Sequence, residues 1–68
     1  MIRVEFKTYG MFAKLKFENK SEVFEAANEF RDGLENALNE KLDIHVNEEE
    51  IICTDKMDQT VFKYIFIE

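Results

Sequence analysis

Residues Val61 to Ile67 read VFKYIFI, with Val61, Lys63, Ile65 and Ile67 on one side of an extended strand and Phe62, Tyr64 and Phe66 on the other. A strand that is apolar on both faces needs cover on both faces. Only one stretch of the chain has helical periodicity, and one helix covers one face of one sheet. The second face therefore needs another layer or serves as a surface for something else. The size of the chain sharpens this demand. A domain of 68 residues buries only about 60% of its unfolded surface, and chains of this length commonly rely on a disulfide, a metal or a partner subunit. The single cysteine, Cys53, excludes an intrachain disulfide and points to a reducing compartment. Set between Ile52 and Thr54, it reads as a small buried hydrophobe.

The rest of the chain supplies strands and one helix. Ile2, Val4, Phe6 and Thr8 alternate with Arg3, Glu5 and Lys7, the pattern of a half-buried strand. Tyr9 and Gly10 turn the chain, and Met11, Ala13, Leu15 and Phe17 alternate with Phe12, Lys14 and Lys16 to complete a hairpin. The segment from Asn19 to Leu42 carries Val23, Ala27, Phe30, Leu34, Ala37 and Leu38 at intervals of three and four, one stripe of an amphipathic helix of about five turns. Ser21 is the expected N-cap, with Glu22 and Glu25 in the first turn. Gly33, on the edge of the stripe, is expected to allow close approach to a strand. Leu42, Ile44 and Val46 suggest a short strand, Asn47 to Glu50 a charged loop, and Ile51 to Cys53 the start of a hairpin that turns at Thr54 to Gln59.

The expected fold is α+β: a single small domain over residues 1–68, with the order β-β-α-β-β-β, a mainly antiparallel sheet and one amphipathic helix on one face. No proline-rich linker, low-complexity segment or internal repeat divides it. The start of the chain alternates polar and apolar residues and has no apolar run of transmembrane length, so a soluble, cytoplasmic protein is expected. A symmetric homodimer packed sheet to sheet is the expected cover for the second face.

Charge narrows the functional classes. The chain has 9 Lys and Arg against 15 Asp and Glu, a net charge of -6. That argues against nucleic acid as a direct ligand and against docking on anionic lipid. The charge is unevenly spread: residues 1–20 carry a net of +3 and residues 21–68 a net of -9.

Catalytic and cofactor signatures are absent from the pattern. His45 is the only histidine, and Ser21 is assigned to a cap, so no nucleophile, base and acid set assembles. His45, Glu48, Glu49, Glu50 and Cys53 lack the spacing of a zinc site or a calcium loop and read as a solvated loop beside a strand. Two glycines cannot build a phosphate-binding loop. The expectation is a non-enzymatic protein with no metal, no cofactor and no small-molecule substrate.

Three surfaces remain as candidates. The first is the second sheet face, with Phe12, Val61, Ile65 and Ile67, as a dimer or partner interface. The second is an acidic strip on the helix, Glu22, Glu25, Glu29, Asp32 and Glu40, lying within about 80° of arc at 100° per residue. These five carboxylates span ~27 Å at 1.5 Å per residue, about one every 5 Å, comparable in order with the phosphates of one DNA strand. In composition and length, though in no alignable residue, the chain is similar to small acidic proteins that inhibit DNA-binding enzymes by such mimicry. The third is the basic hairpin face, Arg3, Lys7, Lys14 and Lys16 with Phe12, a weak platform for single-stranded nucleic acid. The leading expectation is a protein-interaction or regulatory module that binds through the second sheet face or the acidic strip; nucleic-acid mimicry and weak single-strand binding are the alternatives.

Overall fold

The computed structural model describes residues 1–67 and has the expected α+β architecture. The chain forms β1 (Ile2–Thr8), β2 (Met11–Phe17), α1 (Lys20–Leu38), β3 (Asp43–Val46), β4 (Glu50–Thr54) and β5 (Thr60–Phe66). The five strands make one sheet in the order β2-β1-β5-β4-β3, and every neighbouring pair is antiparallel. The last strand is therefore the central one, flanked by β1 and β4.

Alternation and register decide which side meets the helix. Phe62 and Tyr64 are almost fully buried. Phe62 lies 4.9 Å from the ring of Phe30 on α1, and Tyr64 lies 4.9 Å from Phe6 of β1, which is itself 5.5 Å from Phe30. The edge and tilted geometries are those favoured by ring quadrupoles. Pairing of Phe6 with Tyr64 and of Val4 with Phe66 puts Val4 and Phe6 on this side, and pairing with Ile51 and Cys53 extends the same layer into β4. Val23 and Ala27 of α1, together with Leu42 just after it, close the core from above.

Local signals set the helix ends, and they differ from the sequence reading in three places. Asn19, in extended conformation, is the N-cap: the Glu22 backbone N–H donates to its Oδ1 at 3.0 Å, and the Glu22 carboxylate accepts from the Glu18 N–H at 2.8 Å. Ser21 is thus inside the first turn and is not the cap. Asparagine ranks at least level with serine for that role, and it comes first in the chain. At the other end Asn39 adopts a left-handed conformation, φ 53° and ψ 46°, and terminates the helix. Glu40 therefore lies outside α1. Gly33 is exposed, and a Cβ built on it would touch nothing within 4 Å, so it marks no close approach to a strand.

The turns are held by side chains chosen for them. Tyr9 and Gly10 both have positive φ, 42° and 81°, and close the β1–β2 hairpin as a two-residue turn between Thr8 and Met11. The Asn47 side-chain oxygen accepts from the Glu49 and Glu50 N–H groups, and that of Asp55 accepts from Met57 and Gln59. Glu35 reaches back from α1 to accept the Leu42 N–H at 2.8 Å, tying the helix end to the strand that follows.

Two substitutions check these assignments by urea unfolding. Asn19→Ala should lower stability by about 1 kcal/mol whereas Ser21→Ala should leave it nearly unchanged. Gly33→Ala should raise stability by up to ~1 kcal/mol, because an exposed helix-interior glycine gives up its entropic cost and meets no clash.

Candidate functional site

The side of the sheet away from α1 is where the sequence-predicted surfaces converge. In cross-strand order, Lys16 lies opposite Arg3; Lys14 opposite Glu5, then Ile65 and Glu50; Phe12 opposite Lys7, then Lys63, Ile52 and His45. All of these side chains share one face because the strands alternate in register. Five cations thus stand on it: Arg3, Lys7, Lys14, Lys16 and Lys63. A chain of net charge -6 therefore carries a cationic sheet face. Lys63 and Ile52 were not picked out from the sequence as members of this site. Only the pairing of the last strand with the first brings Lys63 beside Lys7, a contact between residues far apart in the chain.

The apolar residues of this face are not one continuous patch. Phe12, 63% exposed, lies on edge strand β2 and is separated from Ile65 and Ile67 by the charged outer side chains of β1. Ile67, 48% exposed, donates its backbone N–H to the Arg3 carbonyl and continues the β1–β5 ladder. Val61 departs from the expectation of an exposed docking residue, being only 3% exposed. The reason is a bulge: β5 spends two residues, Phe62 to Thr60, where β4 spends one, Cys53 to Thr54. The Thr8 hydroxyl donates to the Val61 carbonyl at 2.8 Å and pins the bulge in place. Val61 belongs to the buried core cluster and also lines a groove of about 320 Å³, together with Lys7, Phe12, Lys63 and the Tyr9–Met11 turn.

The acidic strip is less uniform than helical spacing predicts. Glu25 and Glu29 are exposed along α1. Glu22 is occupied in capping, and Asp32 accepts from Arg31 Nε at 3.0 Å, an ion pair that places a cation within the strip. Glu40 has left the helix beyond Asn39. The regular row of five carboxylates is therefore broken at three of its members.

Residues considered for chemistry have structural roles. His45 Nε2 is 3.0 Å from the Thr54 hydroxyl, across the β3–β4 hairpin. Among the described residues no three His, Cys, Asp or Glu side chains converge in the manner of a metal site. Cys53 is buried in the helix-facing layer. Burial pushes its thiol up to about 11, opposed by Arg31 and assisted to a smaller extent by Glu35 and Asp43. Tyr64 is likewise raised by burial. A thiol so placed is protonated at neutral pH and is a poor nucleophile. Among the described residues no helix is long and apolar enough to cross a membrane. No protein-family model, curated protein or solved structure matches the chain.

The Cys53 shift has a consequence for stability. The folded thiol holds its proton more tightly than the unfolded one, so its contribution is fully present below the unfolded value of 9.0 and is lost as pH rises toward about 11. Unfolding midpoints should fall across that window, with Tyr64 adding to the slope at its upper end. Cys53→Ala should flatten the fall, and thiol labelling at pH 8 should require unfolding.

Proposed function

We propose that the protein is a non-enzymatic interaction module whose uncovered sheet face docks an acidic surface of a protein partner. The observation that supports this reading is charge complementarity: five cations outnumber Glu5 and Glu50 and are interleaved with Phe12, Ile52, Ile65 and Ile67 on the face that α1 leaves open. Apolar side chains supply desolvated contact area, and the cations select an acidic partner and steer its approach. The acidic strip ranks behind this face as a docking surface, because Glu22, Asp32 and Glu40 are diverted from it. Phosphate mimicry loses its regular spacing by the same diversion.

A second copy of the chain is the occupant suggested by size alone. Two-fold packing with its axis near Lys7 and Lys63 would bring these cations toward those of the other copy, and like charges brought together across an interface are costly. An acidic partner removes that cost. Nucleic acid as an occupant meets the face's cations but also the overall negative charge of the chain, which opposes its approach.

The test is retention of proteins on immobilised full chain, compared with the Lys7→Glu, Lys63→Glu double variant and with Ile67→Asp. Acidic proteins should be held by the native chain, released by roughly 0.5 M salt, and lost from both variants. Retention that is equal on the charge-reversed face, or that survives that salt unchanged, contradicts the reading.

A further inference from the structure

The groove at the β1–β2 turn has a composition that goes further than the face as a whole. Lys7 and Lys63 lie directly opposite one another in the β1–β5 ladder. In an antiparallel pair that places their Cα atoms only about 4.5 to 5.5 Å apart. Among the described residues neither forms an ion pair. Like charges directly opposite destabilise a sheet, so the pair costs the free protein stability that an anion between them would restore. Both line the same groove, to which the buried Val61 and also Phe12 and Met11, 63% and 70% exposed, contribute.

The turn beside the groove carries a second local cost. Tyr9 sits at φ 42° with its side chain 76% exposed. A bulky residue is disfavoured in that region, where asparagine or glycine would serve the turn better. A costly backbone conformation beside a site is a recognised mark of function. The tyrosine puts an aromatic ring at the groove, with a hydroxyl able to bond a carboxylate.

We infer that this groove seats an acidic side chain of a partner's extended segment between Lys7 and Lys63, with the apolar side chain two residues along that segment, on the same side of it, against Val61, Phe12 and Met11. The inference rests on the acidic-partner reading and makes it specific. An internal acidic residue is chosen over a chain end because the same face continues beyond the groove: Lys14 beside Glu5 and Lys16 beside Arg3 follow along β2, and Ile65 and Ile67 along β5. A segment whose acidic and apolar residues stand two apart matches this order, since alternate side chains of an extended peptide fall on one side.

The test is nuclear magnetic resonance titration of the isotope-labelled full chain with an acetylated, amidated hexapeptide that has glutamate, leucine and glutamate at its first, third and fifth positions and serine at the others, its glutamine counterpart, and a single-stranded oligonucleotide. The glutamate peptide should give saturating shifts at Lys7, Thr8, Phe12 and Lys63 that the glutamine peptide does not. Lys63→Gln should weaken that binding by ~10-fold, the order expected for loss of one charge-assisted contact, without loss of fold. Tyr9→Asn should raise stability while weakening the same binding. Saturating shifts confined to Ile65 and Ile67 and unchanged by Lys63→Gln would overturn the groove and leave the acidic-partner reading standing. Glutamate-peptide binding nowhere on the sheet face would overturn both. Tighter binding of the oligonucleotide than of the peptide at the groove would overturn both in favour of a nucleic-acid ligand.

Discussion

One helix on a five-stranded sheet is the constraint from which the rest of the molecule follows. The rings of Phe6, Phe30, Phe62 and Tyr64 meet at centroid separations of 4.9 to 6.0 Å between α1 and the two central strands. They commit Phe62 and Tyr64 to the helix side. Because a strand's side chains alternate, that commitment turns Lys63, Ile65 and Ile67 outward, and the register carries the same decision into β1, β2 and β4. A slip by one residue would send the aromatic rings into solvent and the lysines into the core. The aromatic cluster thus fixes both the core and the composition of the open face.

Much of this was legible in the sequence because it is written in local periodicity. The hairpin at Tyr9 and Gly10, the helix stripe through Val23 and Ala27, and the two later hairpins depend on neighbours a few residues away, and each falls where the alternation places it. What could not be read was non-local. The position of the last strand between β1 and β4 is a matter of tertiary pairing, and with it came Lys63 beside Lys7 and the bulge that buries Val61. Gly33 misled because a glycine on a helix edge is compatible with close packing and with none. Ser21 misled because two good caps stand two residues apart, and the helix starts at the first. The acidic strip is less regular than its spacing for a related reason: spacing shows where carboxylates lie on a cylinder, but it does not show that Glu22 bends back to Glu18, that Arg31 folds onto Asp32, or that Asn39 ends the cylinder before Glu40.

The open face also reconciles the overall charge with its opposite on one surface. An excess of acidic residues sits on α1 and in the later loops, while the cations of the first hairpin and Lys63 gather on the far side of the sheet. Such a molecule is polar across its two layers. Edge strand β2 adds to this: Lys14 and Lys16 stand on its outer side, the device by which exposed edges avoid pairing with other chains. In the proposed reading, the charges that deter indiscriminate association would also select an acidic partner.

We propose that these cations keep the second sheet face free of a second copy and open to an acidic protein. The most direct measurement is solution mass by light scattering over a concentration series at low salt, where charge repulsion is least screened. A monomer mass near 8.1 kDa is expected throughout. A mass near twice that value at low salt, abolished by Ile65→Glu, would mean that the face is filled by self-association and would contradict it.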